Sequence, residues 1–435
     1  MERRRTFREE DELPKRSLSL NSIPFKSLEQ TFSIGIACAS IGSSKQFRGT
    51  KYCENEDRVC LKWLDLNVDG NATQKILFAG VFDGHGGRGK ASTFVCDILP
   101  KNFETLFNQL DTLSFDVRIS QALESSFQLT DSEFHNTVKS EAMKLNIGSK
   151  KTVNCCKYFK EDPCSCSDPP ISANEGSTGT VVLVTKDSIF TANIGDSDAL
   201  LFSEESSSSS LVEETDSNSS SPSSLSTGSY ENDIDKHFSP YKRLRNSVIT
   251  HLAVNQITVT DTPIVDEENE DYRRIRNIAN KTVGVSASDR LPLDGILQSV
   301  RGHRFNYVAL PGARSLNMVR AFGNLGNKNF INGKIIEIES PIISRPHIKI
   351  MPRNSSMKTL IIASDGLWDN VEKDEITSIL LSHFGEHWKA PGSEGPKISE
   401  ISKTCAIELM RKAVRAKKKP DDVTVIVIPL FENII

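Results

Sequence analysis

The sequence predicts an α+β fold, on three observations: strand patterns near both ends of the chain, helix patterns between them, and acids that recur where strands stop or start. Residues 1–30 come first, polar, with Arg3-Arg4-Arg5 followed by acids and then Ser17, Ser19 and Ser22. They lack the hydrophobic stretch of a signal peptide and read as a disordered N-terminal tail. From Thr31 the pattern changes, and Phe32, Ile34, Ile36 and Cys38 alternate with small or polar residues as a half-buried strand does. Val59 to Leu64 and Lys75 to Phe82 continue as strands, joined across the turn-rich Asn67-Val68-Asp69-Gly70-Asn71 as a hairpin.

Beyond that hairpin, Gly89 to Phe107 reads as a helix interrupted near Pro100. Leu123, Phe127, Phe134 and Val138 recur at helical spacing, so Phe115 to about Lys144 is expected to be a long amphipathic helix. Residues 147–175 break the pattern with Cys155-Cys156, Cys164-Ser165-Cys166 and three nearby prolines. Adjacent and one-apart cysteines do not match the spacing of a thiolate zinc site, and the stretch reads as a Cys/Pro-rich loop. Thr180 to Val184 and Ile189 to Ile194 return to strands. Residues 203–250 are serine-rich and acidic, too polar to fold, and read as an insertion in a surface loop.

In the last third, Ser344 to Ile350 and Lys358 to Ala363 are expected strands, Glu372 to Phe384 and Ile398 to Lys412 amphipathic helices, and Val423 to Ile428 a closing strand. Lys417-Lys418-Lys419 reads as a solvated basic loop. His347, His383 and His387 lie away from every motif and are expected to be structural or exposed.

The strand ends carry the chemistry. Leu77 to Phe82 runs into Asp83-Gly84-His85-Gly86-Gly87, Leu360 to Ser364 into Asp365-Gly366, and Ser188 to Ile194 into Gly195-Asp196. At the C-terminal strand the order is reversed, with Asp421-Asp422 directly before Val423, and Glu56-Asp57 likewise precede Val59. Carboxylates gathered from distant strands repel one another unless cations neutralise them. Ligands that are all oxygen favour hard ions such as Mg2+ or Mn2+.

The strings EDR at 56–58, VFDGHGG at 81–87, GSTGTVVLV at 176–184, NIGDSDALL at 193–201, ASDGLWDN at 363–370 and DDVTVIVI at 421–428 resemble, in order, the motifs of the metal-dependent type 2C protein Ser/Thr phosphatases. The resemblance implies a four-layer fold, two antiparallel sheets packed as a sandwich with helices on both outer faces. It makes residues 31–435 one catalytic domain with insertions at 147–175, 203–250 and about 281–317, the last a candidate lid.

The resemblance also implies hydrolysis of phosphoserine and phosphothreonine in proteins by a hydroxide shared between two Mg2+ or Mn2+ ions. Asp83 would bridge the ions, Asp365 and Asp421 would complete one, and Glu56 with the Gly84 carbonyl the other. Asp196 matches the acid of a weaker third position. His85 matches the general acid, a role an imidazole suits at neutral pH.

Two departures stand out. Tyr52 occupies the place of a phosphate-gripping arginine, and the family's Arg-Ala-Leu-Gly-Asp stretch is Arg320-Ala321-Phe322-Gly323-Asn324 here. They motivate a rival reading, a weakly active or inactive binding module. A third is a hydrolase of small phosphate esters.

Composition narrows the partners. A net charge of -4 gives no basis for nucleic-acid binding, and no run is long and apolar enough for a membrane span. Nine cysteines without a leader point to reduced thiols in the cytoplasm or nucleus. The serine-rich insertion is a candidate target for a kinase or regulatory partner.

Overall fold

The alternating stretch near the front of the chain forms strand β1 (Gly35–Ala39), and the expected hairpin forms β2 (Arg58–Asn67) and β3 (Thr73–Phe82). Two helices follow, α1 (Lys90–Gln109) and α2 (Phe115–Gly148). Then come β4 (Gly179–Val184), β5 (Ser188–Ile194), β6 (Asp198–Glu204), β7 (Leu252–Gln256) and α3 (Glu270–Lys281). The last third is β8 (His347–Pro352), β9 (Met357–Ala363), the short α4 (Asp365–Trp368), α5 (Lys373–Phe384), α6 (Gly395–Ala416) and β10 (Val423–Pro429). This computed structural model describes residues 34–39, 55–68, 72–87, 89–148, 174–204, 252–261, 266, 268–281, 297–299, 306–308, 315–328, 330–331, 334–389, 395–416, 418–419 and 421–430.

The strands form two antiparallel five-stranded sheets, ordered β1-β10-β9-β6-β7 and β8-β5-β4-β3-β2. Their inner faces meet through Leu77, Ala79 and Val81 of β3 against Leu360 and Ile362 of β9 and Ile426 and Ile428 of β10. The alternate residues of the same strands point outward. Phe78 and Phe82 pack under α1 and α2 with Phe103 and Phe127, and Ile361, Val425 and Val427 pack under α5 and α6 with Leu380 and Leu409. Helices cover both outer faces, so the strands are apolar on both sides and read as unbroken runs instead of alternating ones. The fold is the α+β sandwich the sequence predicts, helix, sheet, sheet, helix.

The structure alters some boundaries. Helix α1 runs unbroken through Pro100, which is buried with Leu99 and Phe103 against the sheet. The ring keeps helical φ, and its apolar contact offsets part of the cost of a proline inside a helix. Ser203 and Glu204, assigned to the serine-rich insertion, pair with Ala253 and Leu252 as the end of β6. Within the expected lid, Leu297–Ser299 and Asn306–Val308 pair as a small antiparallel ribbon. Residues 1–30, most of 147–175 with its cysteine cluster, residues 205–250 and Tyr52 lie outside the described residues. Among the described residues no helix is long and apolar enough to cross a membrane.

Strand direction decides where the acids meet. Arg58 pairs with Phe82, so Asp57 and Asp83 flank the same rung of the β2/β3 ladder. Ala363 pairs with both Val425 and Asp198, which sets Asp365, Asp422 and Asp196 around one end of the other sheet.

Candidate active site

Asp83 ends β3 with its backbone clamped at both poles. Its N–H donates to Thr178 Oγ1 at 3.0 Å, and its carbonyl accepts from Thr178 N–H at 2.9 Å. Thr178 is held in turn by Ser197 Oγ at 2.8 Å, so the Gly-Ser-Thr-Gly string braces the end of β3. Gly84 and His85 continue into a small ribbon, paired with Ser177 and Gly176, and Phe322–Gly323 closes its far side.

On the other sheet, Ser364 ties β9 to β10 by donating its N–H to Thr424 O at 3.1 Å and accepting from Thr424 N–H at 2.9 Å. Asp365 follows at the start of α4. Gly366 has no room for a side chain, because a Cβ there would lie 2.0 Å from the carbonyl oxygen of Asp422. The Asp-Gly pair therefore lets the two acid-bearing strand ends touch through their backbones. Asp422 itself accepts from the backbone N–H of Glu56 at 2.9 Å, which joins the β2 entrance to the β10 entrance.

These contacts gather the carboxylates into one electrostatic neighbourhood. Burial, then Asp57, Asp365, Asp196 and Asp421 in turn, push the Asp83 carboxyl well above the usual range. Burial and Asp365 raise Asp196 to about 7, and burial and Asp365 raise Asp421 to about 6. Buried carboxylates gathered this closely form a site that suits bound cations.

Asp57 carries the strongest sign of this. It is 7 % exposed and neither carboxylate oxygen has a hydrogen-bond partner, although the hydroxyls of Thr424 and Ser364 are near. Burial first, and Asp422 second, raise it to about 7. Unpartnered buried oxygens facing a ring of acids fit hard divalent cations and the water such ions retain.

Of the sequence-predicted residues, Asp83, Asp196, Asp365 and Asp421 are thus mutual neighbours, with Gly84 next in chain to the first. Glu56 stands at the same strand end through its backbone, while its neighbour Asp57 is the buried acid that faces Asp83. Asp57 was legible as part of the Glu-Asp-Arg string, but no spacing rule says which of two adjacent acids turns inward. Asn317, which donates Nδ2–H to Asp196 Oδ2 at 3.1 Å, carries no motif signal.

His85 sits at the rim, its Nε2 2.9 Å from Asn324 Oδ1. The amide is oriented by its other contacts, Nδ2–H donating to Asn174 O at 3.0 Å and the backbone N–H donating to Glu175 O at 2.8 Å. An amide oxygen only accepts, so His85 carries a proton on Nε2 in this pair. Asn324 adopts left-handed backbone (φ 49°), a conformation asparagine tolerates. The turn before it is pinned from below, where Asp131 accepts from Gly323 N–H at 2.6 Å and from Lys328 Nζ at 2.6 Å, both charged side chains fully buried. Gly176 passes directly over this pair, and a Cβ there would lie 2.1 Å from Asn324 Oδ1 and 2.7 Å from His85 Nε2. The amide that departs from the family pattern is therefore the histidine's own partner.

One expectation is corrected by the geometry. Asp369 Oδ2 accepts from Lys419 Nζ at 2.5 Å. Lys419, read as part of a solvated loop, also reaches Asp365 Oδ2 at 3.1 Å. The acids drew it in, and no local pattern in the sequence reveals that.

A second acidic cluster is tighter but already satisfied. Ligand atoms of Asp261, Asp271 and His347 lie within 4.8 Å of one another. Arg320 and Arg274 bind Asp271, His347 Nε2 lies 2.8 Å from Asp261 Oδ1, and Gly195 N–H donates to Asp261 Oδ2 at 2.9 Å. Internal guanidinium groups there do the neutralising that the strand-end acids lack.

Fold and site together define a class, a two-sheet sandwich that collects strand-end carboxylates at one edge. The family model for protein phosphatase 2C matches residues 159–220 and 293–420. The chain is 25% identical over 394 residues to "Probable protein phosphatase 2C 72" of Arabidopsis thaliana, covering 89% of this chain and 84% of that one. It is 33% identical over 95 residues to "Protein phosphatase 2C 50" of Oryza sativa, but that match takes in 20% of this chain and spans only 24% of the rice protein. Among solved structures, the serine-threonine phosphatase 2C from Toxoplasma gondii superposes with TM-score 0.50 at 15% identity, covering 91% of this chain and 94% of that chain, a likeness of fold.

Proposed function

We propose that this protein is a metal-dependent protein Ser/Thr phosphatase, hydrolysing phosphoserine and phosphothreonine in proteins. The observation that carries the reading is the buried Asp57 carboxylate, without hydrogen-bond partners, beside Asp83, Asp196, Asp365 and Asp421. Asp83, Asp365 and Asp421 would hold one Mg2+ or Mn2+ ion, and Asp83, the Gly84 carbonyl and Glu56 with Asp57 a second. Such ions, when bound, lower the pKa of water and offset the charge of a phosphate monoester.

The chain's own residues do the rest. Asp83 is central because its backbone is fixed by Thr178, so its carboxylate stays put when charge arrives. Asn317 orients Asp196 through its amide. His85 holds a proton on Nε2, stabilised by Asn324 Oδ1, and from the rim of the acid cluster is suited to deliver a proton to the departing Ser or Thr oxygen. Gly176 and the Asp131–Lys328 pair keep Asn324 where it can accept from the imidazole.

The test is phosphate release from a phosphoserine and a phosphothreonine peptide by purified protein with Mn2+ or Mg2+, compared with Asp83→Asn. Wild-type turnover that EDTA abolishes, and that falls by roughly 10³-fold or more in the variant, supports the reading. Equal inertness of both proteins across metals and pH overturns it. Preference for a small ester such as p-nitrophenyl phosphate over both peptides would move the substrate class.

A further inference from the structure

Lys419 is a cationic side chain that contacts the carboxylates at the strand ends. It stands in the turn between α6 and β10, where Asn370 fixes its backbone. Asn370 is 2 % exposed, accepts from Lys419 N–H at 3.0 Å and donates to Lys419 O at 2.8 Å. A third bond from Asn370 to Gly366 O at 2.9 Å ties the same amide to α4. The lysine Cα is thereby held beside the helix that carries Asp365 and Asp369, and its ammonium bridges them at 3.1 and 2.5 Å. The side chain is 51% exposed, so it can leave towards water without disturbing the core.

We infer that Lys419 is a built-in cation occupying the outer position of the acid cluster, between Asp365 and Asp369, where it competes with a divalent ion. The inference rests on the metal-centre reading above. An ammonium at hydrogen-bond distance of both carboxylates supplies positive charge where a further divalent ion would otherwise take the same oxygens. The two cations repel, and the tethered one has the higher local concentration. The chain would then carry two divalent ions in its inner positions and take a third only when Lys419 swings out. Asp365 belongs to both positions, so the lysine also withdraws donor strength from the inner ion.

The test is a count of bound Mn2+ by calorimetric titration and by equilibrium dialysis on the full chain, for wild type, Lys419→Met and Lys419→Arg. Methionine keeps the length of the side chain without its charge. The methionine variant is expected to gain one Mn2+ per chain, or to tighten its weakest ion on the order of tenfold or more, because a full charge at contact distance is removed. The arginine variant should stay close to wild type. Adding Asp369→Asn to Lys419→Met should abolish the gain, which assigns it to the outer position. Two ions with unchanged constants in wild type and Lys419→Met would overturn this inference while leaving the metal centre standing. Absence of Mn2+ binding in every variant would overturn the metal centre and this inference together.

Discussion

Two acidic clusters in this molecule solve the same electrostatic problem in opposite ways. Around Arg320, Asp261, Glu270 and Asp271 are buried or half-paired against two guanidinium groups and His347, and each oxygen named above has a partner. At the sheet edge, Lys419 touches Asp365 at one rim, and burial with neighbouring acids raises the proton affinity of Asp57, Asp83, Asp196 and Asp421. The Arg320 cluster has tighter ligand geometry, so geometry alone would pick it over the sheet edge. What separates them is whether the charge is already balanced. A structural ion-pair network balances its own charge, whereas on the proposed reading the sheet edge leaves its charge to be balanced by bound cations.

Exchanging one residue in each cluster should break this contrast most sharply. Asp365→Asn at the sheet edge is expected to cost roughly 10³-fold in metal-dependent kcat, with the urea midpoint of the metal-free protein unchanged or raised, because one repelling charge is gone. Arg320→Met should do the reverse. It takes a buried guanidinium from the Asp261 and Asp271 carboxylates, leaving them to His347 and Arg274, and is expected to lower stability by about 3 kcal/mol, read from the same urea curves. If Asp365→Asn instead unfolded the protein, the sheet-edge acids would be structural.

Next in size is the pH response of the metal-free protein. Asp57 and Asp196 are raised to about 7 and Asp421 to about 6, from an ordinary carboxyl near 3.8. Between those limits the folded chain holds protons that the unfolded chain releases. The stabilisation is therefore complete below about pH 4 and lost as pH rises through 6 to 7. Other groups set the acid limit, so the clean window is pH 5.5 to 8. In EDTA the melting temperature should fall across it, on the order of 5 °C, and Mn2+ at pH 8 should restore the loss. A flat or rising profile in EDTA would contradict the unbalanced cluster.

Much of this was readable from residues alone, for a specific reason. Apolar runs such as Leu77 to Phe82 and Leu360 to Ala363 are covered on both faces, so their ends are abrupt, and an acid at an abrupt end is visible in one dimension. The paired sheets then bring Asp83, Asp196, Asp365 and Asp421 to one edge, as the repeated pattern suggested. Side-chain choices between neighbours were not legible. Asp57 over Glu56 depends on which rung of the β2/β3 ladder faces inward. Lys419 joins the site through Asn370, a contact 49 residues apart in sequence. Asn324 looked like a defect because a family pattern records residue types and omits partners, whereas here its amide oxygen accepts the hydrogen bond from His85 Nε2–H.

That last pair offers the smallest and most discriminating prediction. Asn324→Ala removes the acceptor at 2.9 Å from His85 Nε2 while sparing every carboxylate of the metal cluster. If the histidine acts on the leaving oxygen, kcat on phosphopeptides should fall by about tenfold, a fraction of the 10²–10⁴ that a whole general acid contributes, with KM and Mn2+ affinity unchanged. Gly176→Ala should reproduce the defect by a different route, since its Cβ would enter the space between the two side chains. Asn324→Asp keeps an acceptor beside His85 and gives up only the Nδ2–H bond to Asn174 O, so it should retain more activity than alanine. Equal kcat in all three variants and wild type would reduce the His85–Asn324 pair to packing. A loss that tracked Mn2+ affinity instead would shift its role towards the metal cluster, since a partner that only presents the proton donor has no reason to alter metal binding.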